Sequence, residues 1–258
     1  MVHIVNKHNS NHGQTVVIGV VLLVAILVIA AGFYVEDSKI QAENEEFAHY
    51  DDFELSMLDL DAKTNLVTTT NVSQQTTFNS KIQYPFILQA QLNNYGYKVT
   101  NSNKTASLTY ENNSGMQSYT YTTNSIKIIK KYNYADTMRY TYVHSMLYQN
   151  KSNTQPQIKS INIIDDEVIL LQNTDADINI NQQQRYVFNI RGESTKQQQK
   201  TIQNGSIKIE TDANLSEFNT IEQEPNVISL TRDGDSIVIS LKDGEYTVIK
   251  QNNTITTR

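Results

Sequence analysis

The sequence predicts a mainly β protein carried on an N-terminal transmembrane and stalk helix, with an antiparallel β-sandwich-like outer domain. Three observations lead there. Thr15 to Val35 is a run of twenty-one residues without charge or proline. The next stretch spaces its apolar residues by three, four and seven between acids, and no Gly or Pro occurs from Phe33 to Asn65. From Lys81 onward short stretches alternate apolar and polar residues, punctuated by Asp233-Gly234 and Asp243-Gly244. The expected organisation is a leader at 1–13, a transmembrane helix at 14–35, a stalk helix at 36–60, a polar linker at 61–80 and an outer β domain at 81–258, with a break near 195–204.

At 1.5 Å rise per residue the apolar run makes a helix of about 31 Å, the thickness of a bilayer's hydrocarbon core. It has no polar stripe, as a core helix of a soluble protein would. Lys7 precedes it. Glu36, Asp37, Glu43, Glu45, Glu46, Asp51 and Asp52 follow it, against Lys39 alone. Basic residues beside an anchor favour the cytoplasmic side, so the expected partner is a lipid membrane crossed once, with the C-terminal domain extracellular. Three forms of this N-terminus compete. One is a signal peptide cut near Ala30-Ala31-Gly32, and one is an uncut anchor. The third is a type IV pilin-like leader, cut between Gly13 and Gln14. His3, His8 and His12 follow no metal-ligand spacing.

Composition narrows the function classes. The 258 residues carry a net charge of −6, which disfavours nucleic acid, since that partner needs a basic face. Cysteine is absent, so there is no disulfide, thiol nucleophile or thiolate metal site. Tyr, Thr and aliphatics are plentiful while Gly (9) and Pro (3) are sparse, a strand-compatible mixture.

Along the chain, Ile40, Phe47, Tyr50, Met57 and Leu58 mark the apolar face expected of the stalk. Asp61 to Ser80 is almost wholly polar and reads as the linker. Strands are expected at Ile82 to Leu88, Ala106 to Tyr110, Ser118 to Tyr121, Ser125 to Ile129, Arg139 to Val143, Val168 to Leu171, Tyr186 to Ile190 and Ser206 to Glu210. Val227 to Leu230, Ser236 to Ile239 and Tyr246 to Ile249, joined by the two Asp-Gly pairs, read as an antiparallel meander. Gln182 to Gln184 and Gln197 to Gln199 bracket the expected break.

Candidate sites are few. Asn71, Asn103, Asn112, Asn150, Asn204, Asn214 and Asn252 each open an Asn-x-Ser/Thr sequon, glycan acceptors if the domain lies outside. Seven is near what chance yields in a chain this rich in Asn, Ser and Thr. Asp175-Ala176-Asp177-Ile178-Asn179-Ile180-Asn181 begins like a calcium loop, but Ile180 and Tyr186 stand where an EF-hand needs Gly and Glu, so a strand with Ala176, Ile178 and Ile180 inward is expected. Asp165-Asp166-Glu167 reads as a solvated turn. Tyr119/Tyr121, Tyr132/Tyr134 and Tyr140/Tyr142 place rings in pairs, either over a core with hydroxyls in water or as a stacking surface for a sugar or protein. Beyond the anchor the imidazoles are His49 and His144. No nucleophile elbow, zinc-protease, phosphate-loop or dinucleotide motif occurs, so no catalytic residue, cofactor or metal is expected.

His12-Gly13-Gln14-Thr15 before Val16-Val17-Ile18-Gly19-Val20 resembles archaeal pilin and archaellin N-termini. With Glu45-Glu46-Phe47-Ala48-His49-Tyr50, Tyr84-Pro85, Leu108-Thr109-Tyr110-Glu111, Ser145-Met146-Leu147-Tyr148 and Asp165 to Leu171 in order, the chain resembles a group of uncharacterised haloarchaeal membrane-anchored surface proteins. The resemblance implies a surface location, an all-β outer domain and no catalytic residues. The expected function is therefore a single-pass surface protein with a structural or interaction role. In its sharper form it is a minor pilin-like subunit that meets itself or similar subunits through the N-terminal helix. The rival is a membrane-tethered binding module for sugar, solute or partner protein.

Overall fold

The computed structural model describes residues 10–150, 156–178, 185–213 and 215–257. Its first element is one unbroken helix, α1 (Ser10–Thr70), of 61 residues and about 90 Å. The segments expected as anchor, stalk and half of the linker are consecutive turns of this helix. The helix begins before Gln14 and runs ten residues past the expected stalk end at 60. The polarity of Asp61 to Thr70 does not break it: Leu60, Asp61, Thr64, Val67 and Thr68 are buried, and Thr64, Thr68 and Thr70 satisfy their hydroxyls on carbonyls one turn back. Asn71 ends it in the left-handed region (φ 57), its N–H donating to Val67 O at 2.8 Å.

The chain divides into two compact units. The first comprises 10–45 with Gln83–Asn93. In it, every large apolar side chain from Val16 to Tyr34 is 53–74 % exposed. This helix is long and apolar enough to cross a membrane. Ile82 to Leu88 is not the strand that alternation predicts. Pro85 stands just before a 3-10 turn at Phe86–Leu88, and the Leu88 N–H donates to Pro85 O at 2.9 Å. Tyr84 and Leu88 are buried and Phe86 is exposed.

The second unit comprises Glu46–Ile82 with 94–257. It is mainly β, with twelve strands among the described residues: β1 (Gln74–Asn79), β2 (Tyr97–Asn112), β3 (Gly115–Lys130), β4 (Met138–Val143), β5 (Met146–Asn150), β6 (Gln157–Ile161), β7 (Ile164–Asp165), β8 (Val168–Asp177), β9 (Arg185–Glu210), β10 (Val227–Asp233), β11 (Ser236–Leu241) and β12 (Gly244–Thr257). Their hydrogen-bonded order is β6-β5-β4-β3-β2-β9-β12-β8-β7. All pairs are antiparallel except β12 with β8, where Thr247 to Thr256 run parallel to Val168 to Asp177. So the sheet is mixed where alternation alone predicts antiparallel pairing. The second half of the expected linker is β1, paired with β9.

β9 organises this unit. Its first half pairs with β1 and β12, its second with β2 and β11. The break expected near 195–204 is thus the middle of one continuous strand. Gln197 to Gln199 sit in the ladder opposite Ile249 to Thr247; Gln182 to Gln184 lie outside the described residues. Because β9 belongs to both halves, side chains from either half meet in one sandwich-like core. Leu108, Ile207, Ile209, Ile237 and Ile239 come from one side, and Ile169, Leu171, Tyr246 and Val248 from the other.

The two Asp-Gly signals part company. Gly234 (φ 59) turns β10 into β11, whose pairing runs from Asp233–Ser236 to Val227–Leu241. Asp243-Gly244 makes no hairpin. β11 stays beside β10 and β9, while β12 crosses to lie between β9 and β8. The C-terminus is therefore a hairpin plus a crossover strand rather than a meander. Alternation would put Ile228, Leu230, Ile237, Ile239 and Val248 in its core; Ile237, Ile239 and Val248 are buried, Leu230 is partly buried and Ile228 is 62 % exposed.

The outer edge of β8 is closed by side chains. Thr174 N–H donates to Thr123 Oγ1 at 2.8 Å, Ala176 N–H to Asn124 Oδ1 at 2.7 Å, and Asn101 Nδ2 to Ala176 O at 2.9 Å. Residues of β2 and β3 thus cap a strand edge that would otherwise be open to pairing with another chain.

Candidate functional site

The most elaborate polar construction in the second unit is the seat of α1 on the sheet. The buried positions of the helix from Glu46 on are Glu46, His49, Phe53, Met57, Leu60, Asp61, Thr64, Val67 and Thr68, a stripe at helical spacing. Ile40 and Phe47, expected on the apolar face, are half exposed, whereas Met57 is fully buried. The sequence misled there because the true seat includes a carboxylate and an imidazole, which a hydrophobic periodicity passes over.

Glu46 is fully buried. Its Oε1 accepts Asn133 N–H at 2.8 Å and Asn133 Nδ2 at 3.1 Å. Its Oε2 accepts the N–H groups of Tyr134 at 2.7 Å and Ala135 at 2.9 Å. Three successive amides of the loop between β3 and β4 so converge on one helix side chain. Charge-assisted bonds of this kind are roughly twice as strong as neutral ones. Beneath them lies Lys130, also fully buried, whose Nζ donates to Ser80 O at 2.7 Å and to Tyr95 O. Burial holds its ammonium down to about 8, against the pull of the Glu46 charge. Its Nζ also lies 5.6 Å from the ring centroids of Tyr97 and Tyr132.

His49 is fixed between two partners. Nε2 lies 2.7 Å from Asn79 O, which can only accept, so Nε2 carries the proton and Nδ1 accepts the Tyr132 hydroxyl at 3.0 Å. Burial lowers its basicity, keeping it neutral. With both nitrogens engaged, the ring is a fastener. A cleft of about 440 Å³ opens beside it, lined by Asp52, Asp59 and Lys81 among others. Among the described residues no three His, Asp or Glu converge as a metal site would require. Further along, Glu54 pairs with Lys159 at 2.7 Å, Thr76 Oγ1 donates to Asp59 at 3.0 Å, and Gln251 Nε2 donates to Val67 O at 3.1 Å. The apolar part is a cluster of rings: Phe53 lies 5.0 Å from Tyr97, 5.3 Å from Tyr140 and 6.1 Å from Phe78.

The other predicted residues are dispersed. Gly13 and Gln14 fall in the first turns of α1. Asn71 caps the helix, and Asn103, Asn204 and Asn252 are exposed on strands. Asn112 sits at the β2–β3 turn, and Asn150, half-buried, ends β5. Asn214 lies outside the described residues. Asp175 to Asp177 close β8 with Ala176 buried, in line with the strand reading; Asn179 to Asn181 lie outside the described residues. Asp165-Asp166-Glu167 is the exposed β7–β8 turn, with Asp166 at φ 50. Tyr140 and Tyr142 do not keep their hydroxyls in water. Both are buried, and Tyr142 donates to Gln172 Oε1 at 2.7 Å. Sequence reasoning missed the role of Glu46, counted only among the acids after the apolar run, and the β4–β5 turn, where His144 and Ser145 both adopt positive φ without an Asn-Gly to announce it.

The chain matches no family model, no curated protein and no solved structure.

Proposed function

We propose that the chain is a single-pass, membrane-anchored surface protein with a structural or interaction role, its β-rich unit held outside the cell. One observation carries this reading. A single helix is apolar and exposed from Val16 to Tyr34, and from Glu46 on is fastened to the sheet by buried polar contacts. An exposed apolar run of this length needs lipid or another apolar surface to cover it. Lys7 before the anchor and the acids after it support the outward orientation. The sharper form of the proposal is a pilin-like subunit, processed between Gly13 and Gln14, whose apolar helices pack with copies of themselves or with similar subunits. The half-exposed Phe47 and Ile40 support it, since both remain available to a neighbouring helix.

Protease added to intact cells tests the orientation: residues beyond the anchor should be shaved while the apolar segment is spared, and full protection refutes it. The mature N-terminal peptide tests the processing. A peptide starting at Gln14 supports the pilin-like form; one starting at Met1 or Val2 leaves a plain anchor, and one starting near Phe33 a released protein. Phe47→Ala should reach the membrane normally yet disappear from sheared, high-mass surface fractions. Wild-type protein that never enters such fractions removes the filament form.

A further inference from the structure

A polar groove crosses the face where β3, β8 and β12 meet, and Gln251, which holds Val67 of α1, lines one end of it. It has two lobes, of about 140 Å³ and 320 Å³, which share Asn173 and Asn252 as lining residues. Together they fall in the range of small-molecule sites, about 300–1,000 Å³. At one end stand Tyr119 and Lys250, the ammonium 3.0 Å from the ring centroid. At the other stand Asp175 and Glu193.

Its walls are mostly amides and hydroxyls. An amide offers both donors and acceptors on a short, stiff stem, and so matches a ligand whose every hydroxyl both gives and takes a hydrogen bond. Asn253 adds a direct pointer. It lines the groove and is 1 % exposed, and neither its amide oxygen nor its nitrogen meets a hydrogen-bond partner among the described residues. A buried amide left so is costly unless something else satisfies it.

The lysine end favours negative charge. Lys250 lies directly opposite Lys196 in the β9–β12 ladder, with Lys200 four residues further along the same face. Like charges placed so repel. None of the three has a carboxylate ion pair among the described residues. On a chain of net charge −6, an uncompensated trio of lysines beside an aromatic ring is an attractive place for an anion.

We propose that this groove binds an acidic saccharide, its carboxylate or sulfate at Lys250 and its hydroxyls along Asn173, Asn252 and Asn253. Tyr119 then braces Lys250 from one side through the cation–π contact. The surface reading above is not a premise of this site, which can be tested on purified protein whatever its orientation in the cell.

The test uses the unglycosylated full-length chain in detergent micelles. Titration calorimetry is run with hexagalacturonate and with a sulfated hexasaccharide, and with neutral maltohexaose as control. Saturable binding of at least one acidic oligomer, weakening as salt is raised and absent for maltohexaose, is the expected result. Lys250→Gln and Asn173→Asp should each lower that affinity tenfold or more at an unchanged unfolding temperature. Asn173→Asp is nearly isosteric and half-exposed, so it keeps the test alive if Lys250→Gln disturbs packing. Binding by neither acidic oligomer, equal binding of maltohexaose, or indifference of both variants overturns the proposal. So does a native chain with a glycan on Asn252, which would fill the groove covalently.

Discussion

Glu46 on the helix and Tyr134 in the loop after β3 are joined by a hydrogen bond of 2.7 Å across 88 residues of sequence, from a backbone N–H to a fully buried carboxylate. The same two oxygens also accept the Asn133 N–H, Asn133 Nδ2 and the Ala135 N–H. The same carboxylate supplies the opposing charge for Lys130. Removing it takes this acceptor from three backbone donors and the opposing charge from a buried ammonium that still donates to Ser80 O and Tyr95 O. Glu46→Ala should therefore destabilise the protein by about 3–5 kcal/mol, since each buried donor left unsatisfied costs about 1–3 kcal/mol. Glu46→Gln keeps one acceptor and should fall between. Denaturant unfolding in detergent measures both. A Glu46→Ala variant within 0.5 kcal/mol of wild type, a margin of about the size expected for surface changes, would show that the loop re-pairs with water at no cost.

Phe53 and Phe47 sit six residues apart on the same helix and should respond oppositely. Phe53 is 1 % exposed with three rings around it, so Phe53→Ala should cost about 3–5 kcal/mol. Phe47 is 51 % exposed, and Phe47→Ala should leave the unfolding midpoint within about 0.5 kcal/mol. Equal losses from both would mean that the seat has been assigned to the wrong face.

This contrast marks how far the sequence could be read. The long apolar helix, the β character of the remainder and the Gly234 turn follow from local rules: an unbroken hydrophobic run, alternation, and an Asp-Gly between strands. The face of α1 does not, because Glu46 and His49 are buried by partners 87 and 83 residues away, and no periodicity carries that information. β12 was misplaced for a related reason. Asp243-Gly244 has the right turn chemistry, yet the ladder that β9 offers on its first half draws Gly244 to Thr257 across. The groove was legible only in fragments. Tyr119 and Tyr121 stood out as a pair, whereas Lys250, Asn173 and Asn253 come together only through the parallel β8–β12 pairing.

Gly234 isolates the conformational contribution at the β10–β11 turn. Its φ is 59, and an added Cβ would meet nothing within 4 Å. A side chain there is opposed by backbone strain alone, about 1–2 kcal/mol for alanine, with β-branching adding to it. Gly234→Ala should lower the unfolding free energy by that amount and Gly234→Val by more, with the circular dichroism spectrum unchanged. Unfolding curves that overlay wild type for both would mean the turn relaxes to a conformation open to any residue.

Acidity separates two further buried groups. Burial pushes the Asp61 carboxyl on α1 up to about 6 from 3.8, and the His144 imidazole down to about 3 from 6.5. For Asp61 the folded state holds its proton longer than the unfolded one. Its contribution is complete below pH 3.8 and is lost as pH rises through about 6. For His144 the folded state refuses a proton that the unfolded one accepts. Its contribution is complete above pH 6.5 and is lost as pH falls toward about 3. Between pH 4 and 6 the two slopes, about 1.4 kcal/mol per pH unit each, have opposite signs and cancel. Asp61→Asn removes one of them. Below pH 4 the variant should match wild type; above pH 7 it should be more stable by about 1–3 kcal/mol, and between the two its stability should climb with pH where wild type stays flatter. Chemical unfolding at closely spaced pH values reads this directly. Parallel curves for the two proteins would show that Asp61 ionises in the folded state as easily as in water, and that its burial beside Asn65 costs nothing.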